Sequence, residues 1–477
     1  MPARRIPAPA DRHLLNRFSY GITPALTGEC RRTGGGLAWF EAQLNPSSIS
    51  DTAADPLRDW FPALGWTPQK VWEEAKAKRY SAWEVGIDLQ RWSLLRRVYS
   101  RRQVHEQMTE FWSNLLHIPS PVQGVFPHRA NYDATIRQHA LGRFDQMLEA
   151  CTLHPAMGLF LDNCQSTKDD LNENLGREVL ELHTVGGGYS ETDVRDSARI
   201  LTGWFVDHKY PPDVRYVAAN HYTGPVKVMG FTRANGDADG QALSKAYLAF
   251  LARHPNTAMR IAHRLCVRFV SDTPSAAIVE AVAAAYSSHD TDIKATLRAL
   301  VTHPDFGSDV GGKVRTPTED GVATARAIGV RAGRPSTALD FGNAFAWQVQ
   351  SMGQAAFDWP RPDGFPDTND AWCGVTRILS SWQVHWSLAG GYAPSSGATY
   401  RSVEEWLPPL PARFSAVVDD LSRRVLARPA SAALQRAASA FTGVAPTTVI
   451  RTAADIPKFR MTKLVSIVLD TPTHMSR

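Results

Sequence analysis

Apolar runs of helical period, each stopped by a proline, constrain this chain more than any other feature. "MLEACTLHP" ends at Pro155, "YLAFLARHP" at Pro255 and "LRALVTHP" at Pro304, with "LVSIVLDTP", ending at Pro472, a fainter echo. A proline disfavours helix at the residue before it, so each run should end at that point. His154, His254 and His303 are therefore expected near helix C-termini, where an imidazolium favours the last carbonyls. Their spacing is irregular, which argues against a solenoid repeat. Other runs of helical period cover residues 91–116, 136–152, 168–184, 191–202, 242–253, 257–271, 276–287 and 292–302. Strand signals are few. The best flank a turn region between residues 204 and 231, with "GWFVDHKY" on one side and "VKVMGF" on the other. The expected fold is mainly α, a multi-helical globular fold with a small β-hairpin or ribbon inserted at about residues 204–232. Residues 1–390 are read as the main helical domain, and 391–477 as a C-terminal helical section packed on the same core.

Composition excludes several classes. Apolar residues make up 43% of the 477 and charged residues 21%, the balance of a folded chain rather than a disordered one. Fourteen tryptophans point to large aromatic contacts in the core. A net charge of +5 with no clustered basic face does not call for nucleic acid. The densest basic run, "RWSLLRRVYSRR" (91–102), places Trp92, Leu94, Leu95 and Val98 at helical spacing, so it reads as a half-buried helix with a solvated arginine face. Five cysteines, an odd number with no CxxC, argue against a disulfide framework or a cysteine zinc site. Arg4-Arg5 is not followed by the apolar run of a twin-arginine signal, and no stretch is long and apolar enough to span a membrane. The expected location is cytoplasmic.

One segment concentrates the chemistry: "NENLGREVLELHTVGGGYSETDVRDSARILTGW", residues 172–204. Thr167 and Asp170 form a capping box that predicts a helix start near Lys168. At about 100° per residue, Leu171, Leu175, Val179 and Leu182 share one stripe. Asn174, Glu178 and Glu181 then lie on one flank and His183 on the other, which disfavours a Glu-Glu-His metal site on this helix alone. Glu178 and Glu181 are three apart, which brings their side chains together. Two close carboxylates repel, so one pKa rises and the pair can divide acid and base duties. Alternatively the pair holds a hard divalent cation. The competing reading is a surface salt ladder, Glu173, Arg177 and Glu181 at i, i+4 and i+8. Gly186–Gly188 permit a sharp reversal, and Ser190 with Asp193 makes a second capping box, so the segment reads as a helical hairpin. No G-x-S-x-G, Walker A or H-E-x-x-H motif is present.

Among the other polar candidates, His13, His117, His139 and His221, the last stands out. It precedes a Thr-Gly-Pro turn, with Lys227 after it, in the most loop-like part of the chain. "NGDADG" (235–240) imitates the start of a calcium loop, but position 12 is Ala246 rather than Glu.

These motifs resemble the bacterial family called domain of unknown function 1800. Its signature is Asn-Glu-Asn, Ala-Arg-Glu, Glu-Leu, a Thr-x-Gly turn and Leu-Thr-Gly-Trp, and here it reads "NEN", "GRE", "EL", "HTVGGGY" and "ILTGW". "RHLLNRFSYG" (12–21), "MTEFWSNLL" (108–116), "RQHALGRF" (137–144), "NHYTGPVKVMG" (220–230), "HPNTAMRIAHRLCVRFVSD" (254–272) and "RPDGFPDTNDAW" (361–372) are similar to further family motifs. The resemblance implies a large bacterial protein of no established reaction, whose relatives often look exported and neighbour proteins resembling alkaline-phosphatase-type sulfatases. It therefore suggests a protein partner of that kind. This chain departs from the pattern. The family often has His-x-His after the Phe-Trp motif, where Ser113 and Leu115 stand here, and Tyr222 replaces the Asp of a later His-Asp.

Two functions follow as expectations. The first is a hydrolase with Glu178, Glu181 and His221 as catalytic groups, or the glutamates as ligands of a divalent cation, and with Arg177, Asn174 and Lys227 binding substrate. The second is a non-catalytic helical partner or assembly protein that has lost the His-x-His positions.

Overall fold

The computed structural model describes residues 4–120, 122, 124–207 and 214–477. The fold is mainly α: helices follow one another along the chain, and the strands are two or three residues long and occur only as antiparallel pairs.

The His-Pro steps join helices rather than simply ending them. His154, His254 and His303 each sit in extended backbone between one helix and the next, with Pro at the first position of the second. Each imidazole Nδ1 accepts the N–H two residues on, from Ala156 (3.1 Å), Asn256 (3.2 Å) and Asp305 (3.1 Å). An accepting Nδ1 carries no proton. The expected C-terminal imidazolium is thus corrected: these rings cap the next helix, satisfying an orphan N–H as Ser or Asp does elsewhere. Burial agrees, holding His154 down at about 3 and His254 below its usual value. Thr471 plays the same part before Pro472, its Oγ1 accepting from the His474 N–H at 3.3 Å.

Two apolar clusters form the interior. One gathers Phe18, Trp39, Trp112, Phe144, Leu175, Val179, Tyr247 and Phe269 among others. The second joins helices Ala82–Tyr99, Pro317–Ile328, Phe341–Ser351 and Val375–Gly390 to helices Phe414–Val425 and Lys458–Leu469. Burying each such large side chain contributes roughly 1.5–3 kcal/mol. Charge lies between the clusters. Helix Ala82–Tyr99 sends Arg96 and Arg97 to Glu106 (2.8 Å) and Glu110 (3.0 Å) of helix Gln103–Leu115. Arg268 reaches Glu319 at 2.9 Å and Glu110 at 3.1 Å, and Arg477 reaches Glu319 at 3.1 Å. Arg96 and Arg97 are buried, which corrects the solvated arginine face expected for 91–102. Periodicity shows which residues share a face; it does not show that a neighbouring helix lays carboxylates against it.

The run 91–116 is two helices broken at Ser100–Arg102, and 136–152 is broken at residues 140–143. The expected ribbon is two ribbons. Strand β1 (Trp204–Val206) pairs with β2 (Val214–Tyr216), and β3 (Val226–Val228) with β4 (Phe231–Arg233). Met229 and Gly230 both have positive φ, 47° and 97°. That is the two-residue turn matching strand twist, so "VKVMGF" closes on the residues after it rather than on "GWFV". Residues 208–210 of "GWFVDHKY" lie outside the described residues. No helix among the described residues is long and apolar enough to cross a membrane. All five cysteines are free thiols.

Candidate functional site

The signature segment is held by close backbone contact. Its helix begins at Asn174, not near Lys168, because Thr167 and Asp170 close a turn of their own: the Asp170 N–H donates to Thr167 Oγ1 at 3.0 Å and the Thr167 N–H to Asp170 O at 2.9 Å. Helix Asn174–Glu178 crosses helix Glu191–Ile200 at Gly176, where an added Cβ would lie 2.7 Å from the Ala198 nitrogen. Only glycine permits that approach. Residues Val179–His183 then widen into a π-turn. The Thr184 hydroxyl donates to Val179 O at 2.6 Å, and Arg260 holds Leu182 O with Nε at 3.2 Å and Nη2 at 3.1 Å. Such π-turns occur often at functional sites, and this one displaces the positions assigned by a regular helical wheel.

Helix Pro255–Phe269, which holds the π-turn through Arg260, meets the loop 359–368. A cleft of about 410 Å³ there is lined by His263, Arg264, Trp359, Asp363, Phe365 and Asp367 among others. The loop is a fixed wall. Asp367 pairs with Arg268 (3.3 Å) and Arg264 (3.4 Å), the Trp359 carbonyl lies 2.9 Å from His117 Nε2, and Gly364, at φ 71°, packs so near Asn114 O that a Cβ would be 2.2 Å from it. Asp363 accepts the Trp359 indole N–H at 2.7 Å and lies 3.0 Å from Arg361.

Glu178 lies near enough to Asp363 of this wall to feel its charge. Half-buried, it makes no hydrogen bond or ion pair with any described residue. Burial, then the charge of Glu181, raise its pKa above the usual carboxylate value; Arg177 pulls against them, and Asp363 adds a smaller push upward. Glu181 is exposed and accepts the Tyr189 hydroxyl at 3.1 Å. The pair therefore has unequal environments, and Asp363 is a third carboxylate beside it. Sequence reasoning missed Asp363. Its only signal is an acid inside the Pro- and Gly-rich "RPDGFPD".

The structure places the other candidates elsewhere. Arg177 is bound by Glu191 through both terminal nitrogens, at 2.9 and 2.7 Å, with Glu173 at 3.7 Å. Glu181 is not part of that ladder. Asn174 is exposed, and its backbone N–H takes the Asn172 side chain at 2.9 Å. His221 is 1% exposed, with Nδ1 at 3.1 Å from Thr202 O and Nε2 at 3.1 Å from Asn235 Oδ1. Asn235, the first residue of "NGDADG", is thereby committed to His221, and Asp239 caps the following helix through the Gln241 N–H. Lys227 projects outward from β3 while its N–H donates to Asp196 at 2.8 Å. His183 is fully buried, meets no hydrogen-bonding group and is pushed down to about 3 by burial and then Arg260. Ser113 and Leu115 are both buried in helix Gln103–Leu115.

A second constellation had no sequence signal, because its members lie far apart in the chain. Asp320, His385 and His474, all buried, offer ligand atoms within 4.8 Å of one another. His385 lies between two carboxylates, with Nδ1 2.8 Å from Asp470 and Nε2 3.2 Å from Asp320. Burial opposes its charge, but Asp320 and then Asp470 raise it to about 9. His474, against Thr324 at 2.9 Å, is pushed down to about 3 by burial and then His385. Arg377 lies 3.3 Å from Asp320. A protonated His385 and Arg377 balance the two carboxylates without a metal ion, so the group reads as a closed ionic cluster.

The family model described as "Protein of unknown function (DUF1800)" matches residues 13–476. The chain belongs to this family. The DUF1800 match runs past residue 390 and takes in the helices of the C-terminal section. Searches of curated proteins and of solved structures gave no match. In this DUF1800 protein the residues quoted as the family signature include the π-turn and the Glu178–Glu181 pair.

Proposed function

We propose that this chain is a hydrolase whose proton-transferring group is Glu178. The observation that carries the reading is a half-buried carboxyl, raised in pKa, without a hydrogen-bond or ion-pair partner among the described residues, and under the charges of Glu181 and of Asp363, which lines the cleft. Perturbed carboxyls in clefts are candidates for acid and base duty. Glu178, with its raised pKa, serves as the acid, while Glu181, steadied by Tyr189, serves as the base or orients water. Should a divalent cation take part, Glu178, Glu181 and Asp363 are the oxygens that would hold it. Arg177, His221, Asn174 and Lys227 have no part in this reading.

The test is a screen of ester, phosphoester and glycoside substrates with the native chain and Glu178→Gln. The substitution should lower activity by about 100-fold or more, the scale of lost general acid catalysis, while the unfolding midpoint stays the same. Native activity should fall as pH rises through a pKa above the usual carboxylate value, because the acid form is then lost. Full activity in Glu178→Gln sinks the proposal, and so does a midpoint that falls with activity.

One observation favours the second reading, a partner protein without catalysis. Helix Val375–Gly390 presents Val375, Leu379 and Trp382 at i, i+4 and i+7, exposed by 73%, 55% and 43%, with Phe459 beside them at 54%. A stripe of that kind commonly marks a protein interface. A stoichiometric partner lost on Trp382→Ser, with no hydrolysis found, would support it.

A further inference from the structure

Most buried arginines of this molecule face carboxylates; one group of arginines, partly exposed, outnumbers the carboxylates near it. A cavity of about 610 Å³ is lined by four arginines, Arg4, Arg326, Arg401 and Arg424, and by one acid, Glu405. The Glu405 carboxylate is partly engaged elsewhere, accepting the Ser402 N–H at 2.8 Å. Arg4 takes Asp420 through two nitrogens at 3.1 Å each. The other three are held mainly by backbone carbonyls: Arg326 on Val98 O at 2.8 Å, Arg401 on Ile328 O at 2.8 Å and Arg424 on Glu405 O at 2.7 Å. Arg424 finds only the shared Asp420, 3.8 Å away. Its Nε and that of Arg326 are buried and unpartnered. Trp406 lies between two of these groups, 5.3 Å from Arg401 and 5.5 Å from Arg424, and so orients both planes.

Arg424 is 8% exposed, and burial, then Arg4 and Arg401, lower its pKa to about 10. Four guanidiniums that share only Asp420 and Glu405 leave an excess of positive charge, which an anion would offset. A fourth donor points the same way. Thr23, Pro24 and Ala25 line the cavity at the start of helix Pro24–Thr33. Thr23 Oγ1 takes the Leu26 N–H at 3.2 Å and Pro24 has none, which leaves the Ala25 N–H without a partner in the first turn. The positive end of that helix adds to the field. An adjoining hollow of about 420 Å³ shares Thr23, Ala25 and Arg326, so there is room for a body attached to the anion.

We propose that this cavity binds a tetrahedral dianion, the terminal phosphate or sulfate of a small molecule, through Arg326, Arg401, Arg424 and the Ala25 amide. Several guanidinium forks and an amide match the many acceptor oxygens of such a group better than the two of a planar carboxylate. The site is separate from the Glu178 cleft and does not depend on its chemistry.

The experiment is calorimetric titration of the full chain at low salt with inorganic pyrophosphate, inorganic phosphate and sulfate. Binding of at least one is expected. Arg401→Ala, a half-exposed position, should weaken it about 10-fold or more, as loss of one charge-assisted fork predicts, and raised salt should weaken it further. Arg424→Ala should do the same. Preference for pyrophosphate and phosphate over sulfate assigns a phosphorylated ligand, and the reverse a sulfated one. Arg195→Ala, an exposed arginine elsewhere, should leave affinity unchanged. No heat with any of the three anions at millimolar concentration overturns the proposal, as does equal affinity in native chain and Arg401→Ala. If Arg424→Ala fails to fold, Arg401→Ala still decides.

Discussion

Glu319, beside Arg268, and Glu178 are both drawn at least partly away from water, but their surroundings differ. Glu319 is fully buried, and Arg268, then Arg477 and Arg315, overcome the burial and hold it down at about 2. Glu178 is only half-buried, yet its pKa moves up, because burial and then Glu181 outweigh the pull of Arg177. The sign of the shift, more than the depth, separates the two. Where partners are complete, a buried carboxylate ties helices together. Where they are missing, it retains a proton it can give away. Glu319 also serves its own helix, accepting the Thr316 N–H at 3.0 Å while Thr316 Oγ1 caps the Glu319 N–H, so one side chain joins local and tertiary structure.

The sharpest way to break this comparison is Arg268→Met. It leaves Glu110, Glu319 and Asp367 facing one another without their shared cation. A loss of about 3–5 kcal/mol is expected in denaturant unfolding, the usual cost of stranding a buried charge. The double variant Arg268→Met with Glu319→Met should recover part of it. A loss below about 1 kcal/mol for the single variant would mean the core charges are not a tie.

The His385 cluster gives the next effect, read through pH. Its folded pKa of about 9 lies above the ordinary histidine value of 6.5, so its contribution is complete below 6.5 and is lost as pH rises towards 9. The stability gap between the native chain and His385→Gln should therefore shrink by about 3 kcal/mol across that window. His474 acts oppositely: pushed down to about 3, it costs stability as pH falls from 6.5 towards 3. A gap that stays constant from pH 6 to 10 would show His385 neutral throughout.

The smallest effect belongs to the surface pair. Arg177→Ala removes the Glu191 contact, which is part-exposed, and should cost about 1 kcal/mol or less. It should also leave any hydrolysis untouched. A large drop in substrate affinity would return Arg177 to the site.

How much of this was legible depended on range. Helix content, the apolar stripes and the Ser190 capping box follow from spacings of three to seven residues, and the structure has them. Glu178 and Glu181 were visible as a close pair for the same reason. The start at Asn174 and the π-turn were not, since Thr167–Asp170 fits a turn as well as a cap and a π-turn is imposed by the groups that hold it, Arg260 among them. The arginines at 96 and 97 looked solvated because nothing in their own helix shows Glu106 and Glu110 opposite.

By itself, the sequence determined a mainly α chain, its family and the short-range pairing of two glutamates, because helical period and capping act within a few residues. Only the tertiary structure decided which charges are spent and which are free. It set Asp363 against Glu178 across more than a hundred residues of chain, closed Asp320, His385 and Asp470 into a balanced cluster, and left Arg326, Arg401 and Arg424 around one cavity. The reason is physical: a charge takes its meaning from partners and water, and both are set by packing.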